Sequence, residues 1–221
     1  MQTIIAVSMI VIGYLSGSVN YAIVVTRAVA GVDIRTAGNR KPGTANVGRN
    51  VDKGWAALVF VLDLFKGLGP ILLAAQLLEP ASPVVKHAVV GAVGAAAIVG
   101  HARPVFFGLR GGGAIATSIG VLGYFVPVEL LIALALGFAL AMAFLRHADY
   151  TIGQWTPILS LSILPFLTLA ANAWLDVRLF DGVTLGGHPW EVPVIVFAIA
   201  LLILALNASI MFERVGEIRS V

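Results

Sequence analysis

Apolar residues along this chain form long, nearly uninterrupted stretches separated by short polar connections. Most of these stretches are long enough for a helix of roughly 20 residues to cross a bilayer. Segment 114–125 is shorter, so we expect a half-span or re-entrant piece whose backbone is covered by protein. The pattern predicts an all-α, polytopic membrane protein with seven transmembrane helices, the fourth of them short. The segments lie at about 3–26, 55–78, 84–101, 114–125, 127–145, 155–174 and 192–212.

Composition agrees with a single integral-membrane domain that covers residues 1–221. Hydrophobic residues make up 59% of the chain and charged residues 11%, whereas roughly a quarter of the residues in a soluble domain are charged. The first segment has no basic leader and no cleavage site, so we expect it to remain as a span. The chain has no cysteine, which excludes disulfides, thiol catalysis and cysteine-based metal sites.

The distribution of Lys and Arg predicts the orientation. Six of the fourteen lie in the first loop, residues 27–54. If the chain crosses the membrane seven times, the residues that lie on the same side as this loop also include Arg103, Arg110, Arg146, Arg214 and Arg219. The positive-inside rule then places the N-terminus outside and the C-terminus in the cytoplasm. Because the cations cluster at membrane edges rather than along a soluble face, we expect no nucleic-acid partner.

The first loop contains the run GNRKPGTANVGR at 38–49, a cationic and glycine-rich segment. Glycines allow successive backbone N–H groups to face an anion. Arg35, Arg40, Lys41 and Arg49 can add charge-assisted hydrogen bonds. The alternative is a loop that only sets orientation, with its cations on anionic lipid head groups. The PGTAN turn favours an anion site, because orientation requires cations and not turn chemistry.

The second loop reads GHARPVFFGLRGGGAIAT at 100–117 and would lie on the same side of the membrane. Arg110 and the run Gly111–Gly113 precede an apolar segment, which is typical of phosphate binding at a helix N-terminus. A flexible hinge between spans is the alternative. His101, at the membrane edge, is a candidate for phosphate binding or proton transfer, or a hydrogen-bonded structural residue.

Two further features concern the spans. Asp63 and Lys66, in LDLFKG, are three residues apart and share one helix face within the second apolar segment. Charges at this depth usually face a cavity or the protein interior, either in a functional site or as a neutralised pair.

Trp155, Trp174 and Trp190 fall near predicted span ends, which is typical of interfacial anchors. Between two of these spans, we expect 175–191 to be a turn-rich connection.

These blocks, in this order, resemble the integral-membrane acyl-phosphate:glycerol-3-phosphate acyltransferases of bacteria (the PlsY type). The resemblance covers roughly the first 120 residues. It implies acyl transfer from acyl phosphate to the sn-1 hydroxyl of glycerol 3-phosphate or a related polyol phosphate, in phospholipid biosynthesis at the bacterial inner membrane, with the active face cytoplasmic. The blocks that match are SGSVNYAIV (16–24), VDIR (32–35), PGTANVGR (42–49), LDLFKG (62–67) and GHARPVFFGLRGGGAIAT (100–117).

The resemblance also implies the site. Its catalytic residues would be Arg49, Asn46 and His101. No metal, coenzyme A or other cofactor is implied, and we expect a monomer that meets acyl phosphate, the polyol phosphate and membrane lipids. The substrate-binding residues would be Arg35, Arg40, Lys41, Gly43, Thr44, Asp63, Lys66, Arg110, Gly111, Gly112, Gly113 and Thr117.

The sequence departs from the family pattern in both loops. Gly113 stands where the family has a lysine that binds substrate, so our hypothesis is that Lys41 or Arg40 supplies this charge from the first loop. Near the C-terminus, Asn207 and Glu217 lie close to family positions but out of register. Two alternatives therefore stay open: a non-catalytic paralogue that binds a lipid or a partner, and a small transporter with Asp63 and Lys66 as its coupling residues.

Overall fold

The computed structural model describes residues 1–78, 81–145, 152–180 and 182–219, which form a bundle of α-helices with one small β-hairpin. Six segments are long and apolar enough to cross a membrane, and a shorter apolar helix, Ile115–Phe125, lies between them. The predicted helical multi-pass architecture is thereby confirmed. The elements are α1 (Gln2–Ser18), α2 (Tyr21–Ala30), α3 (Thr44–Asn50), α4 (Lys53–Leu77), α5 (Pro83–Ala102), α6 (Ile115–Phe125), α7 (Pro127–Leu145), α8 (Ile152–Trp174), β1 (Asp176–Phe180), β2 (Val183–Gly186) and α9 (Glu191–Arg219).

The two glycine-rich loops meet at one end of the bundle, which we call the loop end. The guanidinium Nη1 of Arg35 donates a hydrogen bond to the carbonyl oxygen of Phe107 at 2.9 Å, which joins the two loops. The opposite end carries the strands β1 and β2 and is called the hairpin end. The expectation that both loops lie on one face is therefore met, whereas Arg146, from the same orientation argument, lies outside the described residues.

The first apolar segment is not one helix, as the sequence predicts, but two. α1 ends at Ser18 and α2 begins at Tyr21. Asn20 caps α2, because its side-chain oxygen accepts a hydrogen bond from the Ile23 backbone N–H at 3.3 Å. The break frees the carbonyl oxygen of Val19, which accepts a hydrogen bond from the Lys66 ammonium at 2.7 Å.

Glycines bring α1 and α5 into backbone contact. A Cβ atom added to Gly17 would collide with the carbonyl oxygen of Ala97, and one added to Gly100 would collide with that of Tyr14. Small residues at such crossings let membrane helices approach closely. Since Gly100 precedes His101, this crossing fixes the position of the imidazole at the loop end.

The bundle has two apolar clusters. The larger runs through its centre and includes the fully buried Val93, Leu122 and Leu164. The smaller lies under the first loop, where Ile23, Ile34 and Val47 pack together. On the outside, side chains such as Phe144 (79% exposed) face outward, as expected for helices surrounded by lipid.

The segment 175–191 is more regular than the predicted turn-rich connection. β1 and β2 pair as an antiparallel hairpin between α8 and α9. Gly182 and Gly186 adopt the left-handed conformation that the chain needs at the turn and at the end of β2. The sequence argument predicted turns in this segment but not the strands.

Candidate active site

A cavity of about 320 Å³ opens between the two loops and the ends of α4, α8 and α9. Its lining includes both polar and apolar residues, which suits a ligand with a charged head and a hydrocarbon tail. The polar lining residues include Asn39, Lys41, Thr44, Asn46, Arg49, Asp63, His101 and Asn207, and the apolar ones include Phe60, Ile115, Pro157, Ile158, Leu161, Ile203 and Leu204.

Asn46 holds the first loop in shape. Its side-chain Nδ2 donates hydrogen bonds to the carbonyl oxygens of Ile34 at 3.1 Å and Ala37 at 3.0 Å. Its Oδ1 accepts a hydrogen bond from Asn50 at 2.8 Å. Because both the nitrogen and the oxygen of its amide form hydrogen bonds, Asn46 holds residues 34–37 against α3. It thereby positions the residues of this loop that line the cavity.

Arg35 connects the loops rather than lining the cavity. It pairs with Asp33 at 2.8 Å in addition to its bond to Phe107. The hydrogen bonds from the Arg35 side chain, helped by Arg27, hold the pKa of the Asp33 carboxyl well below its usual range, despite partial burial that acts in the opposite direction. Arg35 thus contributes to the relative position of the two loops.

The run 38–49 of the first loop contains three cations, Arg40, Lys41 and Arg49, and they occupy different places. Lys41 and Arg49 line the cavity, whereas Arg40 does not. Arg40 is exposed and has a positive φ of 58°. Among the described residues, Arg49 has no carboxylate within ion-pair distance. Two cations therefore face the cavity from the first loop.

A buried polar group forms the floor of the cavity. The Lys66 ammonium lies 2.8 Å from Oδ1 of Asp63, and both side chains are 1% exposed. His101, also buried, has its Nδ1 at 3.3 Å from the Thr117 hydroxyl and 3.8 Å from Asp63 Oδ1. Asp63 and His101 line the cavity, while Lys66 and Thr117 support them from behind.

The second loop has glycines at 111–113 because the neighbouring atoms leave no room for a side chain there. None of Gly111, Gly112 and Gly113 has a positive φ. A Cβ added to Gly111 would collide with the His101 carbonyl oxygen, and one added to Gly112 with that of Pro42. The loop therefore packs tightly between α5 and the first loop, which does not agree with a flexible hinge. Arg110 is exposed and does not line the cavity.

Asn207, in α9, is a cavity residue that sequence comparison placed out of register. Its Nδ2 donates hydrogen bonds to the carbonyl oxygens of Gly113 at 3.0 Å and Ile203 at 2.8 Å. Its Oδ1 occupies the space of a side chain at position 113, since a Cβ on Gly113 would lie 2.5 Å from it. A polar residue within the last apolar segment is the signal that could have found it.

The structure thus gathers part of the predicted site, while the role of each residue stays a prediction. The predicted residues that line the cavity are Lys41, Gly43, Thr44, Asn46, Arg49, Asp63, His101 and Gly113; those that do not are Arg35, Arg40, Lys66, Arg110, Gly111, Gly112 and Thr117. Among the residues that the structure describes, no group of three or more His, Cys, Asp or Glu side chains is placed to hold a metal ion.

Comparison with known proteins identifies the family. The family model described as glycerol-3-phosphate acyltransferase matches residues 7–215, which include both loops and every helix that contributes to the cavity. The chain belongs to the glycerol-3-phosphate acyltransferase family. The predicted resemblance is confirmed, and it extends well beyond the first 120 residues.

Individual members of the acyltransferase family show the same relationship. The chain is 42% identical to a glycerol-3-phosphate acyltransferase of Myxococcus xanthus (strain DK1622) over 57% of its own length and 63% of the relative's. The corresponding protein of Shouchella clausii (strain KSM-K16) is 35% identical over 72% of this chain and 77% of that protein. For two of the relatives, including the Myxococcus xanthus protein, the chain spans less than two thirds of the relative's length: 63% of one and 65% of the other.

A solved structure agrees with the fold. The crystal structure of PlsY (YgiH), an integral membrane glycerol 3-phosphate acyltransferase in its glycerol 3-phosphate form, superposes with a TM-score of 0.74. The alignment covers 96% of this chain and 92% of that one, at 25% sequence identity. The helical membrane fold is therefore shared along nearly the whole chain.

Proposed function

We propose that this protein transfers the acyl group of an acyl phosphate to the sn-1 hydroxyl of glycerol 3-phosphate, or of a related polyol phosphate, in phospholipid biosynthesis. The products are lysophosphatidic acid and inorganic phosphate. The observation that carries the proposal is the cavity at the loop end, which is lined both by cations and amides and by apolar side chains. The names of the relatives support it.

The chemistry requires no nucleophilic side chain, because an acyl phosphate is already activated. The acceptor oxygen attacks the acyl carbonyl carbon, the bond from that carbon to the phosphate oxygen breaks, and phosphate leaves with the electron pair. The hydroxyl proton passes to the imidazole of His101, which lines the cavity. The main task of the protein is to hold the two reactants in contact.

The charges of the cavity suit this task. Both substrates carry phosphate, and negative charge develops on the carbonyl oxygen during attack. Arg49 and Lys41 face the cavity from the first loop and can bind phosphate oxygens by charge-assisted hydrogen bonds. Cations already positioned where negative charge develops stabilise the transition state.

The apolar lining of the cavity suits the acyl chain. Phe60, Leu161 and Leu204 come from α4, α8 and α9, so the tail would lie among the spans while the head remains at the loop end. The Lys and Arg bias supports a loop end in the cytoplasm, where a soluble polyol phosphate can enter, and the bacterial relatives support a place in the inner membrane.

An acceptor screen tests the proposed function. Purified protein in vesicles is given palmitoyl phosphate, and released phosphate and acylated product are measured with glycerol 3-phosphate and with other polyol phosphates. We expect phosphate release that depends on an acceptor and equals product formation. Binding of palmitoyl phosphate without turnover on any acceptor would instead identify a non-catalytic paralogue, and flux of substrate across the vesicle membrane would identify a transporter.

Lys41, rather than Arg40, is expected to supply the cation that the second loop lacks. Replacing Lys41 with alanine should lower kcat/KM by about 10–100-fold, since one charge-assisted hydrogen bond contributes about 1.5–3 kcal/mol. Arg40→Ala, the adjacent matched control, should have a much smaller effect because Arg40 does not line the cavity. Equal losses in the two variants would show that the loop acts only through its total charge. Steady-state kinetics with varied acceptor concentration make the comparison.

A further inference from the structure

The β-hairpin at the hairpin end is amphipathic. Val177 pairs with Leu185, and Arg178 pairs with Thr184, so these two pairs point to opposite faces. The register shifts between Arg178 and Phe180, which then pairs with Val183. A bulge of this kind places two residues of one strand opposite one of the other.

The bulge has a consequence for the faces of the hairpin. Without it, Leu179 would take the place opposite Val183, and Phe180 would turn towards the face of Arg178. With it, Phe180 joins the face of Val177. The irregular register therefore gathers apolar side chains on one face and leaves Arg178 and Thr184 on the other.

This apolar face is uncovered in the protein. All five residues of β1 are exposed. The exposed fractions of the three large apolar side chains are 43% for Val177, 50% for Leu179 and 66% for Phe180. Contiguous exposed apolar patches of this kind mark contact with a partner or a membrane.

The hairpin is held firmly against the bundle. The fully buried carboxylate of Glu129, in α7, accepts hydrogen bonds from the Gly186 backbone N–H at 2.9 Å. His188 Nε2 lies 2.7 Å from the same Glu129 oxygen, and the His188 backbone N–H donates to Asn172 of α8 at 2.6 Å. The apolar face thus has a fixed position relative to the spans.

That position is the end of two membrane spans. The candidate spans Trp155–Trp174 and Glu191–Ala208 flank the hairpin. Trp174 is 85% exposed and Trp190 is 68% exposed, and tryptophan at span ends is typical of the interface between hydrocarbon and head groups. The hairpin therefore joins the ends of two spans at the level of the membrane interface.

We propose that the hairpin is a membrane-interface element: its apolar face lies in the lipid bilayer at the hairpin end, with Val177, Leu179 and Phe180 among the upper acyl carbons and Arg178 turned towards water. The occupant of this face is lipid rather than a second protein. The proposal does not depend on catalysis, since the hairpin lies at the end opposite the cavity.

The cysteine-free sequence allows a clean test by single labelled positions. Val177→Cys and Phe180→Cys report on the apolar face, and Arg178→Cys is the matched control on the same strand. Each variant carries one environment-sensitive fluorophore and is reconstituted in phosphatidylcholine–phosphatidylglycerol vesicles. Quenching is measured with iodide on both sides of the membrane and with lipids that carry a nitroxide near the head of the acyl chain.

We expect fluorophores at 177 and 180 to be quenched several-fold more by the lipid nitroxide, and several-fold less by iodide, than the one at 178. Equal iodide quenching at all three positions would overturn the proposal. Protection from both quenchers together with a disulfide-linked dimer of unlabelled Phe180→Cys would overturn it too, because a second copy would then cover the face. Two positions on the apolar face keep the test valid if one variant folds poorly, which thermal unfolding detects.

Discussion

Replacing Arg49 with alanine is expected to lower kcat/KM for acyl transfer by about 10²–10⁴-fold. Arg49 lines the cavity and can bind a phosphate with two parallel hydrogen bonds. Each charge-assisted bond contributes about 1.5–3 kcal/mol, and each 1.36 kcal/mol corresponds to a tenfold change in rate. The measurement is acceptor-dependent phosphate release from palmitoyl phosphate, with protein stability checked in parallel.

Two variants control for charge in the Arg49 experiment. Lys53→Ala removes an exposed cation that does not line the cavity, and we expect it to retain nearly full activity. Arg49→Lys keeps the charge but loses the planar two-bond geometry, so its activity should fall between those of the wild type and Arg49→Ala. Activity of Arg49→Ala close to that of the Lys53 variant would remove Arg49 from the site.

Replacing Lys66 with methionine is expected to destabilise the protein by about 3–5 kcal/mol. The substitution leaves the buried Asp63 carboxylate, 1% exposed, without its cation, and breaking a buried pair from one side has this typical cost. It also removes the donor to the Val19 carbonyl oxygen at the break between α1 and α2. Thermal unfolding in detergent should show a midpoint lower by about 6–20 °C, at roughly 2–4 °C per kcal/mol.

The double variant Asp63→Asn, Lys66→Met separates the charge from the packing. It removes both ions, so its midpoint should lie above that of Lys66→Met alone. A double variant less stable than the single one would mean that the carboxylate is stabilised without Lys66. Activity is a separate readout, because Asp63 also lines the cavity.

The sequence predicts the spans well because one physical quantity, the length of an apolar stretch, determines them. It misses the break after α1 because residues 17–20 lie within an apolar stretch and only the capping preference of Asn20 marks it. It misses the β-hairpin for a related reason. The bulge after Arg178 interrupts the alternation of apolar and polar residues by which a strand is recognised.

The candidate site is predicted in part for equally specific reasons. The motifs predict that both loops contribute to one site, but they cannot distinguish Lys41 from Arg40, because only the folded loop determines which of two adjacent cations lines the cavity. They cannot place Asn207 either, since a polar residue on an apolar helix is assigned to the cavity only when the rotation of that helix is known.

The contact between Gly113 and Asn207 has an evolutionary consequence. The amide of Asn207 fills the space that a side chain at position 113 would need, so the two positions share one volume across two distant parts of the sequence. A side chain at position 113 is therefore tolerated only when the residue at position 207 is smaller or turned away. This is epistasis with a steric cause: the effect of a side chain at position 113 depends on which residue stands at position 207.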